Sequence, residues 1–132
     1  MIQDLNTDNN SCAAWIAKFL INRKVELVFG LQGGHIQPIW DHCYKLGIKI
    51  IDVRDEKAAV HMAQAYSYFS GKVGIASVTH GPGLTNCLTA LTEGARGRIP
   101  MVLLAGDTPL TARNHLQNID QHAVTKYYRG WL

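Results

Sequence analysis

The fold is decided by one stretch, Ile51-Asp52-Val53-Arg54-Asp55-Glu56-Lys57-Ala58-Ala59-Val60-His61, in which an apolar strand leads directly into a helix. Residues 48–53 are rich in β-branched side chains, which is typical of a buried parallel strand. After the acidic corner, apolar side chains recur every three or four residues, as on the buried face of a helix: Ala59, Met62, Ala63, Tyr66 and Phe69. Glu56 falls in the first helical turn, where unpaired backbone N–H groups and the helix dipole favour a carboxylate. Glu56 is therefore either an ordinary capping acid or a functional carboxylate at a strand end.

The same alternation of strand and helix continues along the chain. Strands are predicted at 25–30, 48–53, 73–79 and 100–106. Helices are predicted at 11–22, from either 36 or 38 to 47, at 57–69 and at 84–94. Short loops join them, so we expect right-handed crossovers in an α/β fold, a three-layer αβα arrangement with a mostly parallel sheet covered on both faces. Residues 1–10 are polar and are expected to form a flexible lead. The tail becomes aromatic at Tyr127, Tyr128 and Trp131 without a further strand, which predicts one domain over 11–132 that is truncated at its C-terminus.

Composition excludes several classes of protein. The net charge of +3 is scattered along 132 residues, so neither nucleic acid nor an anionic membrane is expected as a partner. The cysteines at positions 12, 43 and 87 form no CxxC pair and are expected to be buried thiols in a reducing compartment. The lead has no signal-peptide pattern, and the apolar run 12–21 is about half as long as a membrane span. A cytoplasmic location is therefore the expectation.

Three segments that could carry chemistry follow predicted strands: Gly33-Gly34-His35, Asp55-Glu56 and His80-Gly81-Pro82-Gly83. Ligands of parallel α/β sheets bind beyond the carboxyl ends of the strands, so we expect these segments to lie together. The glycine pair has neither the G-x-G-x-x-G nor the G-x-x-x-x-G-K-[ST] pattern, and a dinucleotide or P-loop site has little support. A phosphoacceptor receiver domain is also disfavoured, because it needs acidic residues after the first strand, where this chain has glycine and glutamine.

Five motifs, taken in their order and spacing, resemble the N-terminal, pyrimidine-binding domain of thiamine diphosphate enzymes, and in particular the acetolactate synthase-like group. The resemblance extends over roughly residues 11–126. It is carried by the segments Val28-Phe29-Gly30-Leu31-Gln32-Gly33-Gly34-His35-Ile36, Arg54-Asp55-Glu56-Lys57-Ala58-Ala59-Val60-His61-Met62-Ala63, Thr79-His80-Gly81-Pro82-Gly83-Leu84-Thr85-Asn86, Ile99-Pro100-Met101-Val102-Leu103-Leu104-Ala105-Gly106 and Leu116-Gln117-Asn118-Ile119-Asp120-Gln121.

The resemblance implies a cofactor-binding role for one set of residues. In this family the glutamate that matches Glu56 hydrogen-bonds N1′ of the cofactor's aminopyrimidine and shifts that ring toward its imino tautomer, which then removes the proton from C2 of the thiazolium. Such a proton is shared more strongly in a dry crevice than in water. Pro82 and Gly83 would form a wall against the pyrimidine, and Asn86 would brace their loop. The complete implied set is Gly33, Gly34, Glu56, Thr79, Pro82, Gly83 and Asn86.

His35 departs from the pattern of typical acetolactate synthases, which resembles Pro-Gly-Gly followed by a small residue. A histidine here resembles benzaldehyde lyase and related carboligases and C–C lyases, in which it faces the C2-bound substrate and assists proton transfer. The resemblance implies that Gln117 also reaches the substrate. From the residues alone, the alternatives are a capping or solvent histidine for His35 and a solvated loop amide for Gln117. His80 stands where the family often has a small or hydroxyl residue, and its contact with the substrate pocket is an expectation.

The resemblance also implies parts that this chain does not carry. Family members bind the diphosphate and Mg²⁺ through a second domain with a Gly-Asp-Gly motif, and Gly106-Asp107-Thr108 lacks the second glycine, so no metal ligands are predicted here. The expected activity is that of a thiamine diphosphate-dependent carboligase, lyase or 2-keto acid-processing enzyme acting on a small carbonyl compound. It would need a diphosphate-binding domain, in cis or in trans, and would form a dimer or tetramer; the chain alone is expected to be inactive. The alternative is an orphan, non-catalytic domain or partner-binding module from a truncated gene.

Overall fold

The structure, a computed structural model, describes residues 10–112 and 114–128, in which four parallel strands form one sheet. The strands are β1 (Leu27–Gly30), β2 (Lys49–Asp52), β3 (Gly74–Val78) and β4 (Met101–Ala105), in the order β2-β1-β3-β4. The helices are α1 (Cys12–Asn22), α2 (Gln37–Lys45), α3 (Glu56–Ser70), α4 (Pro82–Asn86), α5 (Leu88–Arg96) and α6 (Gln121–Thr125), followed by a 3₁₀ turn at Lys126–Tyr128. The predicted flexible lead, apart from Asn10, and the predicted aromatic tail residue Trp131 lie outside the described residues.

Helices cover both faces of the sheet. Successive residues of a strand point to opposite faces, and Val28 and Ile75 join one buried cluster with residues of α1 and α2. Phe29 and Ala76, the next residue in each strand, join a second buried cluster with residues of α3 and α5. β3 is buried along its whole length between the two layers. The predicted three-layer α/β fold with a parallel sheet is therefore confirmed.

The predicted strand-to-helix corner is also confirmed, since β2 ends at Asp52 and α3 begins at Glu56. Asp55 has extended backbone, and its side chain caps α3 by accepting a hydrogen bond from the Lys57 amide at 2.8 Å. That hydrogen bond lowers the pKa of the Asp55 carboxyl group. At the other end of α3, Gly71 has a φ of 69°, which glycine adopts without strain. The Asp55 cap and Gly71 therefore define the start and the end of α3.

The face of α3 that packs on the sheet differs from the predicted one. Met62 is 38% exposed and Phe69 is 85% exposed, so the prediction that they belong to the core is wrong. Gln64 and Ser67 are buried instead. Both polar side chains donate hydrogen bonds to backbone carbonyl groups, Gln64 to α5 at 2.6 Å and Ser67 to the residue before β4 at 2.7 Å. Because these bonds satisfy the buried polar atoms, burial of the two side chains costs little.

Three further predictions need correction. β2 and β4 form the edges of the described sheet and are partly exposed, so β2 is not the buried strand that its β-branched residues predict. Cys12 is exposed, whereas Cys43 and Cys87 are buried as predicted. The helix predicted at 84–94 begins two residues earlier, at Pro82, and is interrupted at Cys87 between α4 and α5. Within the described residues, no helix combines the length and the apolar character that crossing a bilayer requires.

Candidate functional site

Glu56 is the first residue of α3, and its carboxyl group is held from a neighbouring segment. Its Oε2 accepts a hydrogen bond from Nδ2 of Asn86, the last residue of α4, at 3.0 Å. The thiol of Cys87 lies 3.6 Å from the Glu56 carbonyl oxygen and 3.2 Å from the Gly83 carbonyl oxygen. Burial, reinforced by the nearby acidic groups, raises the pKa of this thiol to about 12, so it stays protonated and can donate. The β2–α3 corner and α4 are therefore tied together at the carboxyl edge of the sheet.

Thr79 lies between two glycines that have no room for a side chain. A Cβ atom at Gly33 would lie 2.6 Å from Cβ and 2.9 Å from Oγ1 of Thr79. A Cβ atom at Gly83 would lie 2.9 Å from Cγ2 of Thr79 and 3.6 Å from Oε1 of Glu56. Carbon atoms in good contact are about 3.5 to 4.0 Å apart, so both positions favour glycine strongly. The β1–α2 loop, Thr79 and the start of α4 thus form a closely packed wall beside the Glu56 carboxyl group.

Three imidazole rings form a second group at the same edge of the sheet. His35 comes from the β1–α2 loop, His80 from the segment after β3, and His115 from the tail. The ring centroids of His35 and His80 are 3.9 Å apart at an angle of 71°, and those of His80 and His115 are 5.3 Å apart. Gly106 lies directly beside them, since a Cβ atom there would be 2.8 Å from Cβ of His35.

His80 is the buried member of this histidine cluster. It is only 1% exposed, and neither ring nitrogen has a hydrogen-bond partner in the described part of the chain. Burial lowers the pKa of His80, the neighbouring His35 and His115 lower it further, and the Asp107 carboxylate acts in the opposite direction. His80 is therefore neutral near neutral pH, because each contact except Asp107 disfavours its protonated form.

The tail is fastened over these loops by one glutamine. The amide of Gly81 donates to Oε1 of Gln121 at 3.0 Å, and Nε2 of Gln121 donates to the Gly106 carbonyl oxygen at 2.9 Å. Gly81 has a φ of 63°, and a side chain at this position would overlap the carbonyl oxygen of Gln117. The backbone of Gln117 therefore crosses closely over the segment that carries His80.

Most of the predicted site residues fall into these two groups. The structure brings Gly33, Thr79, Gly83 and Asn86 together around Glu56. It places His35 against His80, with the backbone of Gln117 close by. Among the described residues, no atom lies within 4 Å of where a Cβ of Gly34 would stand, and Pro82 is exposed at the start of α4, so these two residues stand apart from the wall.

Sequence reasoning missed three features of the site. Asn86 was expected to brace its own loop, whereas its amide holds the Glu56 carboxyl group. His115 carries no sequence signal, and only the folded tail brings it to His80. Gln121 is the last residue of the fifth motif, but nothing in the sequence indicates that its amide links two loops.

A groove of about 890 Å³ runs along the exposed edge strand β4, between α5 and α6. Its lining includes Leu91, Met101, Leu103 and Tyr128, and none of the predicted site residues contributes to it. The groove is therefore separate from the two groups described above. In the described residues, no group of three or more histidine, cysteine, aspartate or glutamate side chains stands in an arrangement that could hold a metal ion.

Comparison with known proteins defines the class to which this fold and site belong. Residues 10–124 match the family described as "Thiamine pyrophosphate enzyme, N-terminal TPP binding domain". The match covers most of the 132 residues, and the chain belongs to this family. The family resemblance carried by the five sequence motifs is thereby confirmed.

Individual relatives include lyases and synthases. The chain is 46% identical over 113 residues to 2-hydroxyacyl-CoA lyase 2 of Danio rerio. The aligned residues make up 84% of this chain and 18% of that protein. It is 44% identical over 108 residues to 2-hydroxyacyl-CoA lyase 2 of Homo sapiens, and this alignment covers 80% of the chain and 17% of the human protein. It is also 43% identical over 119 residues to the acetolactate synthase large subunit of Haemophilus influenzae, and this alignment covers 88% of the chain and 21% of that subunit. The chain thus spans about a fifth of the length of these relatives.

Proposed function

We propose that this protein is the pyrimidine-binding part of a thiamine diphosphate-dependent enzyme that breaks or forms C–C bonds next to a carbonyl group, with Glu56 activating the cofactor. The observation that carries the proposal is the fixed carboxyl group at the strand-to-helix corner. Oε2 of Glu56 is occupied by the Asn86 amide at 3.0 Å, which leaves Oε1 as the oxygen available to a ligand. Oε1 lies on the side of Gly83, 3.6 Å from where a Cβ atom would stand.

The residues around Glu56 fit an aminopyrimidine. Because Gly33 and Gly83 lack side chains, the segments that carry them pack directly against Thr79 and form one wall beside the Glu56 carboxyl group. A carboxyl oxygen beside this wall suits a ring nitrogen with which it shares a proton. The glycines and the carboxyl group come from three different segments, the β1–α2 loop and the first turns of α3 and α4, so the folded sheet edge is needed to assemble the site.

When bound, thiamine diphosphate supplies the chemistry at its thiazolium C2. The task of this chain is to hold a proton between the Glu56 carboxyl group and the ring, and to keep water away from it. Asn86 restricts the carboxyl group to one orientation through its hydrogen bond. His35 and Gln117 are proposed to meet the substrate, with His35 transferring a proton and Gln117 donating or accepting a hydrogen bond.

The proposed substrate is a small carbonyl compound, such as a 2-keto acid, or a 2-hydroxyacyl thioester. The small carbonyl compound, including a 2-keto acid, follows from the resemblance to acetolactate synthase-like and benzaldehyde lyase-like enzymes. The thioester class is supported by the names of the relatives, which include 2-hydroxyacyl-CoA lyases as well as acetolactate synthases. Each of these reactions makes or breaks a C–C bond next to a carbonyl carbon.

The complete enzyme is proposed to include parts beyond this chain. A diphosphate-binding domain, in cis or in trans, would bind the diphosphate and Mg²⁺, and the complete enzyme would be a dimer or tetramer in the cytoplasm. Support comes from the family, since this chain matches an N-terminal domain and spans about a fifth of its relatives. Its own residues would then form one wall of the cofactor site.

The test uses Glu56→Gln in the complete enzyme, with thiamine diphosphate and Mg²⁺ added. The readout is the rate of deuterium exchange at C2 of the cofactor, which requires no knowledge of the substrate. General acid–base catalysis contributes about 10²- to 10⁴-fold, so we expect a loss of at least roughly 100-fold while the unfolding transition stays in place.

The matched control is Glu93→Gln, which removes a carboxylate from an exposed position on α5, where Glu93 contacts His61 at 3.3 Å. This control should exchange at the unsubstituted rate. Equal exchange in Glu56→Gln and Glu93→Gln would overturn the role of Glu56. A complete protein that neither binds the cofactor nor catalyses exchange would favour the alternative, a non-catalytic partner-binding domain.

A further inference from the structure

The histidine cluster contains a buried imidazole that has no assigned task. His80 is 1% exposed, and its ring lies edge-on against His35 with the centroids 3.9 Å apart. Aromatic pairs usually have their centroids about 4.5 to 7 Å apart. The two imidazoles are therefore in direct contact.

The hydrogen-bonding groups of His80 demand a partner. A neutral imidazole has one N–H donor and one acceptor nitrogen, and leaving both unpaired in the interior costs free energy. Neither nitrogen of His80 has a partner among the described residues. The polar rings next to it are those of His35 and His115.

His115 is the weaker candidate for that partner. Its Nδ1 already accepts a hydrogen bond from the Gln117 amide at 3.2 Å. Its ring is also farther from His80, at 5.3 Å between centroids, and farther from His35, at 6.1 Å. A metal ion shared by the three rings is not indicated, because the described residues contain no metal-binding arrangement.

We propose that His80 is a positioning residue that fixes the tautomer and ring orientation of His35 through a hydrogen bond between the two imidazoles. The consequence for catalysis rests on the proposed function, which places His35 next to the substrate. The partner of one imidazole nitrogen decides which nitrogen carries the proton, and therefore which nitrogen is presented to a reacting atom. Burial keeps His80 neutral, so it offers one donor and one acceptor at neutral pH.

The test measures the tautomer of His35 by long-range ¹H–¹⁵N correlation in protein labelled at histidine, with signals assigned through His35→Asn. In the unsubstituted protein we expect one predominant His35 tautomer. His80→Phe keeps a ring in the same place and removes both nitrogens, so His35 should show the mixed tautomers of free imidazole. His115→Gln is the matched control, and it should leave the single tautomer of His35 unchanged.

Two results would overturn the proposal. One is a free-imidazole mixture for His35 in the unsubstituted protein, which needs no variant and so does not depend on whether His80→Phe folds. The other is an unchanged single tautomer in folded His80→Phe. In the complete enzyme, His80→Phe should lower kcat about tenfold with little change in KM, and His80→Gln should recover part of that loss. The tautomer result is independent of Glu56→Gln, so the two proposals can fail separately.

Discussion

Adjacent glycines at 33 and 34 offer a sharp test of how tightly the site is packed. At Gly33 a Cβ atom would lie 2.6 Å from Cβ of Thr79, whereas at Gly34 it would meet nothing within 4 Å in the part of the chain that the structure describes. Neither residue has a positive φ, so alanine causes no backbone strain at either position. Gly33→Ala and Gly34→Ala therefore differ in steric overlap alone.

The magnitudes follow from this geometry. The overlap at Gly33 is about 1 Å relative to ordinary carbon–carbon contact, and it involves the Cβ of Thr79, which cannot move without the backbone. Overpacking of this kind costs about 1 to 3 kcal/mol. Replacing glycine by alanine also restricts the unfolded chain, which stabilises by about 0.4 to 1 kcal/mol. The effect on the unfolded chain is shared by both variants, so we expect Gly33→Ala to be about 1 to 3 kcal/mol less stable than Gly34→Ala. Gly34→Ala itself should be as stable as the unsubstituted protein or slightly more stable.

Equilibrium unfolding in urea, at one pH and with the slope of the transition compared, measures both free energies of unfolding. Gly33→Ala should also weaken binding of thiamine diphosphate in the complete enzyme, because it displaces Thr79 from the wall beside Glu56. Equal stabilities for the two variants would show that the β1–α2 loop yields by about an ångström at little cost. That result would refute the conclusion that Gly33 is required by close packing.

Two further predictions concern titratable groups. Burial lowers the folded-state pKa of His80, so the unfolded chain binds more protons than the folded chain below the unfolded histidine pKa of about 6.5. The free energy of unfolding should therefore fall as the pH falls from 7.5 to 5.5. Urea unfolding should show a smaller fall in His80→Gln, and an equal fall would contradict the burial argument. Exposed Cys12 should react with a thiol reagent at pH 8 far faster than buried Cys43 and Cys87, because burial raises the pKa values of those two thiols to about 11 and 12. The reaction of the native protein is measured by absorbance. Fast reaction of all three thiols would contradict the packing around Cys43 and Cys87.

The strand-to-helix corner could be predicted from the sequence because its signals are local. Asp55 caps the helix with its own side chain, and Glu56 begins the helix where the period of apolar residues changes. The buried face of α3 could not be predicted in the same way, since apolar residues lie on more than one side of this helix. The buried face is the one that carries Gln64 and Ser67, which donate hydrogen bonds to carbonyl groups far along the chain.

The two halves of the site differ in the same respect. Glu56, Thr79 and the glycines around them could be predicted as neighbours, because the carboxyl ends of parallel strands meet at one edge of the sheet. The meeting of His80 with His115 depends on the tail, which has no periodic pattern and is held by side-chain hydrogen bonds of Gln121. Periodic sequence patterns predict helices and strands, but they do not predict where a segment without a periodic pattern packs in the folded protein.

Glycines connect these two halves. Gly83 lies between Thr79 and the Glu56 carboxyl group, and Gly81, two residues earlier, lets the tail cross beside His80. A single turn after β3 therefore contacts the proposed cofactor position on one side and the histidine cluster on the other. Because its glycines leave no free space, a side chain added at either position must displace backbone or Thr79. The geometry of the carboxyl group and that of the imidazoles consequently depend on the same few residues of main chain.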